Sequence, residues 1–124
     1  MTDNILFKDL SYRIIGIAFK IHSKLGCALP EKCYQHAFQQ EIDTQHIPFT
    51  AQQAHQVYYN DNLVGIYYSD LIIENKIILE LKSDDRITQG HVSQLFTYLR
   101  VTGIKVGYVI NFGAKSLQFK RVIL

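Results

Sequence analysis

The sequence lacks most of the motifs that would assign a small protein to a common functional class. Its two cysteines, Cys27 and Cys33, do not have the Cys-x-x-Cys spacing of zinc and redox sites, and we expect two reduced, semi-buried thiols. No His-x-x-x-His pair, glycine-rich phosphate loop or Gly-x-Ser-x-Gly elbow occurs. These absences argue against a zinc site, nucleotide-driven chemistry and serine-hydrolase chemistry. Four histidines are assigned no role: His22, His36, His46 and His55.

The sequence also lacks a long apolar run. No segment approaches the roughly 20 apolar residues that span a bilayer. The N-terminus has no basic region followed by the apolar core of a signal peptide. We therefore expect no membrane association and a cytoplasmic location.

Excess charge is also small. The 124 residues carry a net charge of +2, with 48% hydrophobic and 19% charged residues. This composition is ordinary for a globular protein, and the length predicts a single domain over residues 1–124. The charge permits contact with phosphates, but tight binding would need a local basic patch, an oligomer or a partner.

Apolar side chains recur at steps of three and four along three segments, which predicts three amphipathic helices. The first spans residues 5–25, with Asp3 or Asn4 as its cap and Gly26 as its stop. Its apolar stripe consists of Leu6, Leu10, Ile14, Ile17, Ala18, Ile21 and Leu25.

The second predicted helix begins at Pro30, whose missing N–H would be unpaired in a first turn anyway, and runs to about His46. Its inward stripe consists of Tyr34, Ala37, Phe38 and Ile42. The third spans Thr88–Val101 and is closed by Gly103. Its buried residues are predicted to be Val92, Leu95, Phe96 and Leu99.

From residue 50 the apolar pattern changes to a period of two, which is typical of strands. Strands over Val57–Tyr59 and Leu63–Tyr68 flank a turn-forming Asn-Asp-Asn sequence. A further run, Lys76–Lys82, follows Leu71–Ile73 across the tight Glu74–Asn75 turn. The pattern therefore predicts a three-stranded antiparallel meander.

Two more strands are predicted after the third helix. They cover Ile104–Asn111 and Leu117–Leu124, which are rich in β-branched and aromatic residues and are separated by a turn at Gly113–Ala114. The element order is helix, helix, three strands, helix, two strands. This order predicts an α/β fold with a mixed central sheet flanked by helices.

Polar side chains interrupt the third predicted strand on one face. Because side chains alternate along a strand, Glu80 and Lys82 project from the same side. If the flanking residues pair across the turn, Asp70 is carried back towards Glu80. Two carboxylates and the Leu81 carbonyl could then hold a hard cation such as Mg²⁺, and Lys82 could orient or help to deprotonate a bound water. A solvated strand face with a surface ion pair is the alternative interpretation.

The helices supply further polar residues. Glu31 lies three residues before Tyr34, on the stripe expected to face the sheet, where a metal-bound water or Lys82 would satisfy its charge. On the third helix, His91, Gln94 and Tyr98 form a polar stripe. Gln94 could hydrogen-bond a substrate phosphate or a metal ligand, although an exposed helix face accounts for the same spacing.

Asp70, nine intervening residues and Glu80-Leu81-Lys82, followed by Gln94 on a helix, resemble the motif of the PD-(D/E)XK nuclease superfamily. Residues 25–34, 94–99 and 107–112 also resemble the group within it called GxxExxY proteins. Two positions depart from these patterns. Ser69 stands where the superfamily name has proline, and Ala28 replaces the glycine that names the group.

The resemblance implies a restriction-endonuclease-like core of helix, three strands, helix and strand. It implies Asp70 and Glu80 as metal ligands, Lys82 as the catalytic lysine, Glu31 as an additional acid and Gln94 as a supporting amide. We therefore expect a nuclease dependent on Mg²⁺ or Mn²⁺ that acts on DNA. Tyr98 and His91 are its expected substrate contacts, and a homo-oligomer or a protein partner is expected to supply specificity.

Two other functions fit the same sequence. One is a nuclease-like fold used as a non-catalytic nucleic-acid-binding or assembly module, because the net charge is small and no added DNA-recognition module is visible. The other is an RNA-directed enzyme of the same chemistry, since no sequence feature distinguishes recognition of the 2′-hydroxyl.

Overall fold

The structure, a computed structural model, describes residues 5–124. The expected caps Asp3 and Asn4 lie outside these residues. The elements follow the predicted order, and their bounds are α1 Lys8–Leu25, α2 Glu31–Thr44, β1 Phe49–Tyr59, β2 Asn62–Ile73, β3 Ile77–Lys82, α3 Gln89–Thr102, β4 Val106–Asn111 and β5 Gln118–Ile123.

One five-stranded sheet has the order β1-β2-β3-β4-β5. Neighbouring strands are antiparallel except β3 and β4, which are parallel and are joined by α3 as the crossover helix. The sheet is therefore mixed, and the α/β fold class predicted from the sequence is confirmed. Among the described residues, no helix is long and apolar enough to cross a membrane.

Helices cover both faces of the central strands. On one face, α1 and α2 pack through Ile14, Tyr34 and Phe38 against the odd-numbered residues of β3. On the other, Leu95 and Leu99 of α3 pack against Ile72, Ile78 and Val109. Every residue of β4 is buried, and so is every residue of β3 except the last, Lys82, which is half-buried. This is expected for strands covered on both sides.

The structure corrects several predicted bounds and burials. β1 begins at Phe49 rather than Val57, because its glutamine-rich first half pairs with β2 at every residue except Gln52, despite low strand propensity. β2 is one continuous strand from Asn62 to Ile73, where the pattern had suggested two runs. Tertiary pairing extends both strands beyond the segments that show alternation.

Side chains predicted to be buried are exposed at the margins of the helices: Leu6, Leu25 and Phe96. Leu6 precedes α1, Leu25 ends it, and the contact of α3 with the sheet is narrower than the predicted stripe because Leu95 and Leu99 fill it. Cys27 and Cys33 are free and exposed rather than semi-buried, because they lie in the loop before α2 and on its solvent side.

Candidate active site

Strands β2 and β3 separate at the point where Asp70 and Glu80 lie. Their pairing ends at Leu71↔Leu79, and the next pair in that register would be Asp70 and Glu80. Here the Asp70 side chain substitutes for a strand carbonyl, since its Oδ2 accepts a hydrogen bond from the Leu81 N–H at 2.9 Å. The hairpin therefore brings the two acids together, as its short turn predicted.

Glu80 is buried beside Asp70, with 7% of its surface exposed. The Tyr67 hydroxyl donates to its Oε1 at 2.6 Å, and its carboxyl is also hydrogen-bonded to that of Asp70. Burial, followed by the charge of Asp70, raises the pKa of Glu80 to about 8, while the Tyr67 hydroxyl and the charge of Lys82 act in the opposite direction. Near neutral pH the protonated form of Glu80 is therefore favoured.

A stack of three rings holds Tyr67 against Glu80. The Tyr67 ring lies between His55, at a centroid distance of 5.2 Å, and Tyr98 of α3, at 3.5 Å. His55 Nε2 is in turn 3.2 Å from the Ser69 hydroxyl. Neither Tyr67 nor His55 was predicted as a site residue, because nothing local in the sequence distinguishes Tyr67 from the adjacent Tyr68.

Glu31 begins α2 at the edge of this cluster. Tyr34 fixes the loop before it, because its hydroxyl donates to the Gly26 carbonyl at 2.6 Å and accepts from the Leu29 N–H at 3.2 Å. The Tyr34 ring stacks on Phe112 at 4.6 Å. Glu31 itself is exposed rather than buried against the sheet, because it lies in the first turn, where the helix end reaches solvent.

Electrostatics nevertheless connect Glu31 to the acid pair. Partial desolvation and then the charge of Asp70 raise the pKa of Glu31, Lys82 lowers it, and Asp84 raises it. Lys82 is half-buried at the end of β3 and acts on both Glu31 and Glu80. Three carboxylates and one ammonium therefore share one electrostatic environment where β2 and β3 diverge.

The polar residues of α3 have separate positions. Tyr98 contacts Tyr67, and burial, followed by the charges of Glu80 and Asp70, raises its pKa. Gln94 is exposed and hydrogen-bonds Tyr98, whose ring stacks on Tyr67.

His91 has partners within the fold. It completes a capping box with Thr88, in which its Nδ1 accepts from the Thr88 N–H at 3.1 Å and its own N–H donates to the Thr88 hydroxyl. Its Nε2 lies 3.0 Å from an Asp84 carboxylate oxygen. These contacts account for the position of His91, and its contact with substrate stays a prediction.

Asn111 is a fully buried residue that the sequence analysis did not identify. Its Oδ1 accepts from the N–H groups of Asp84 and Gly113 at 2.9 and 3.1 Å, and its Nδ2 donates to the Asp84 carbonyl and to Gln118. Asn111 pairs with Lys82 in the parallel ladder. The amide therefore fixes the chain immediately after the catalytic candidate Lys82.

The carboxylate oxygens of Asp70 and Glu80 are donors that suit a hard divalent cation. Within residues 5–124, no three His, Cys, Asp or Glu side chains are grouped closely enough to form a metal cage. Mg²⁺ usually binds through one or two carboxylates and keeps several waters, so the Asp70–Glu80 pair is sufficient. A cation there would also compete with the proton that the raised pKa of Glu80 favours.

A family model described as the PD-(D/E)XK nuclease superfamily matches residues 8–122. The chain belongs to this superfamily. Its assignment to the GxxExxY group stays a prediction. Superfamily membership agrees with the observed fold.

A solved structure shows the same fold at low sequence similarity. The crystal structure of SSO0001 superposes on the present chain with a TM-score of 0.57 at 14% sequence identity. The match covers 94% of the present chain and 61% of the SSO0001 chain. The present chain thus spans less than two thirds of that protein. No protein of curated function matches the sequence.

Proposed function

We propose that this chain is a nuclease that uses Mg²⁺ or Mn²⁺ to hydrolyse phosphodiester bonds of DNA. The observation that carries the proposal is the acid pair: Asp70 and buried Glu80 lie together at the divergence of β2 and β3, beside Lys82, in a chain of a nuclease superfamily. Two carboxylates this close repel each other when both are ionised, and a proton or a cation relieves that repulsion.

In this proposal each side chain has a distinct task. Asp70 and Glu80, with the Leu81 carbonyl, hold the metal, which when bound polarises the phosphate and lowers the pKa of a water. Lys82 projects from the same face of β3 as Glu80 and orients the attacking water or assists its deprotonation. Glu31 lies at the edge of the pair as an additional acid, and Gln94 acts through Tyr98.

The direct test compares the protein with its Lys82→Ala variant. Single- and double-stranded DNA and RNA are incubated with each protein in Mg²⁺, in Mn²⁺ or in EDTA. We expect the wild type to cleave DNA with either metal, and Lys82→Ala to lose cleavage while still binding metal by calorimetry, because no ligand is removed. Lys105→Ala, a change at an exposed lysine on another loop, is the matched control and should cleave normally.

Cleavage in EDTA, or undiminished cleavage by Lys82→Ala, would contradict the proposed mechanism. Cleavage of RNA but not DNA would move the substrate to the RNA-directed alternative. The non-catalytic module is the second candidate, favoured by one observation: among the described residues every buried polar side-chain atom has a hydrogen-bond partner without any metal. That candidate predicts no calorimetric signal with either cation.

The raised pKa of Glu80 predicts a pH-dependent stability in EDTA. An acid whose pKa is about 8 in the folded protein and near 4.5 when unfolded stabilises the fold below pH 4.5, and this contribution is lost as pH rises through about 8. Between pH 6.5 and 9 the thermal midpoint should therefore fall. Glu80→Gln keeps an acceptor for Tyr67 and a donor for Asp70 but cannot ionise, so its midpoint should decline less.

Added Mn²⁺ should raise the midpoint of the wild type, and more so at pH 8.5 than at pH 6.5, because the cation must displace the proton of Glu80 at the lower pH. The Glu80→Gln protein should show little response. Parallel pH curves for the two proteins would argue that Glu80 does not titrate in this range.

A further inference from the structure

Tyr67 reaches Glu80 from a position in β2 whose side chain should point to the opposite face of the sheet. Leu71 packs in the core beneath α1 and α2, whereas Ile72 packs against α3. Because side chains alternate along a strand, regular alternation would place Tyr67 on the face of Leu71. Tyr67 instead stacks on Tyr98 of α3, which is the side of Ile72. The alternation of β2 is therefore displaced by one residue between Tyr67 and Ile72.

The displacement coincides with an irregularity opposite Asp70. In β2 the pairing with β1 runs to Leu71 and resumes at Ser69, and the omitted residue, Asp70, lies opposite Gln52 of β1. Gln52 has a φ of 52°, a left-handed conformation that is uncommon for residues other than glycine. An irregularity of this kind changes the direction of the side chains beside it. It thus turns Tyr67 towards the α3 face.

The Tyr67 side chain is closely held on this face. It is 8% exposed, and its ring lies between those of His55 and Tyr98. The ring of His55 is itself fixed, since its Nε2 lies 3.2 Å from the Ser69 hydroxyl. From this stack the Tyr67 hydroxyl donates to Oε1 of Glu80 at 2.6 Å. A ring packed on both sides fixes the place of its donor, so the position of Oε1 is fixed as well.

The arrangement costs more than the burial of Glu80 requires. A regular strand can supply a hydrogen-bond donor to a buried carboxylate, whereas here the donor depends on left-handed backbone at Gln52, an exposed residue. Backbone in sparsely populated regions costs free energy and is concentrated at functional sites. The cost at Gln52 therefore favours a function for the contact between Tyr67 and Glu80.

We propose that Tyr67 is a positioning residue of the metal site: its hydroxyl orients the Glu80 carboxylate for Mg²⁺ or Mn²⁺, and the irregularity at Gln52 and Asp70 places it there. Carboxylates that ligate a metal are in turn hydrogen-bonded, and loss of such a partner weakens metal binding. The inference rests on the proposed function, because it takes Asp70 and Glu80 to be the metal ligands.

Calorimetric binding of Mn²⁺ to the full chain tests the role of the hydroxyl. We expect Tyr67→Phe to raise the Mn²⁺ dissociation constant about 10- to 100-fold, because the ring stack is kept and only the donor to Glu80 is lost. The matched control is Tyr68→Phe. It removes the hydroxyl of the adjacent tyrosine, which is 57% exposed, and should bind Mn²⁺ as the wild type does. Circular dichroism verifies that both variants fold.

A spectroscopic measurement separates positioning from support of the fold. A bound cation changes the charge that the Tyr67 phenol meets at Glu80, so Mn²⁺ should shift the near-ultraviolet tyrosine absorption of the wild type and of Tyr68→Phe. At saturating Mn²⁺, Tyr67→Phe should lose most of this difference band. A hydroxyl that only supported the fold would lower the thermal midpoint in EDTA and leave the Mn²⁺ dissociation constant unchanged, and that result would overturn the proposal.

Two substitutions at Gln52 test how Tyr67 is placed. Gln52→Gly and Gln52→Val both lose the hydrogen bond from Gln52 Nε2 to Gln35 Oε1, at 3.4 Å. Glycine adopts a φ of 52° readily, whereas a β-branched residue rarely does. We therefore expect Gln52→Val to have a Mn²⁺ dissociation constant at least about threefold higher than that of Gln52→Gly. Equal constants would contradict the placement of Tyr67 by this irregularity.

The outcomes distinguish this inference from the proposed nuclease. Equal Mn²⁺ binding by the wild type and Tyr67→Phe would overturn the positioning role and leave the metal site in place. A wild type that binds no Mn²⁺ would overturn both. Mn²⁺ binding without cleavage of any nucleic acid would overturn the nuclease alone, and the two dissociation constants would still decide the role of Tyr67.

Discussion

Replacement of Asp70 by asparagine is expected to lower DNA cleavage at least about a hundredfold and to abolish calorimetric binding of Mn²⁺. The substitution removes one of the two carboxylates at the strand divergence. The asparagine oxygen can still accept the Leu81 N–H that Asp70 now receives at 2.9 Å, so the end of the β2–β3 ladder is preserved. Loss of activity would then reflect lost charge rather than lost fold.

A stability measurement separates these two causes. The charge of Asp70 is one of the causes that raise the pKa of Glu80, so Asp70→Asn should leave the thermal midpoint in EDTA unchanged or higher at pH 8. Asp61→Asn is the matched control: it removes an exposed acid at the β1–β2 turn, where φ is 65°, a conformation that asparagine adopts readily. Asp70→Asn protein that is fully folded and still cleaves would refute the assignment of Asp70 as a ligand.

Replacement of Gly113 by alanine is expected to destabilise the protein by about 3 kcal/mol and to reduce cleavage. A Cβ at this position would overlap the backbone of Ser83 and Asp84, which cannot move aside as a flexible side chain could. The same backbone is held by Asn111, whose amide bonds Asp84 and Gly113 together. The substitution therefore displaces the segment directly after Lys82.

The matched control is Gly16→Ala, at an exposed position inside α1 where an added Cβ meets no atom within 4 Å. This change should stabilise the fold by about 0.5–1 kcal/mol, because alanine has the higher helix propensity. Denaturant unfolding of both variants measures the difference. If Gly113→Ala were as stable as the wild type, the close approach between the β4–β5 connection and Asp84 would not be a constraint.

The two substitutions probe the two sides of β3, the strand that carries Glu80 and Lys82. Asp70 acts where an antiparallel pair opens, and Gly113 acts where the parallel pair β3–β4 ends. Between these points β3 carries Glu80 and Lys82 on one face. The position of the acids thus depends on two features of β3: its pairing with β2 stops at Leu79, whereas its pairing with β4 continues to Lys82.

Much of this arrangement was predictable because it is encoded locally. The three helices follow from apolar spacing, and the turn between β2 and β3 follows from a polar pair between two apolar runs. That short turn fixes the register, and the register sets Asp70 against Glu80. A prediction of this kind succeeds when the residues that decide it are adjacent along the chain.

Predictions failed where several elements compete for one contact. Phe96 matches the helical stripe as well as Leu95 does, but only Leu95 fits over Gly107, where an added Cβ would come within 2.9 Å of it. Glu31 shares its spacing with Tyr34, yet the end of α2 reaches solvent. Neither outcome is visible in periodicity, because each depends on where a helix crosses the sheet.

The sequence by itself therefore determined the order of the elements, the mixed α/β class and the approach of Asp70 to Glu80, since spacing and short turns specify all three. Only the tertiary structure decided that Tyr67 rather than Tyr68 contacts Glu80, and that Asn111 holds Asp84 from 27 positions away. The raised pKa of Glu80 also belongs to this level. It arises from burial and the proximity of two charges, which exist only once α3 and the sheet have packed together.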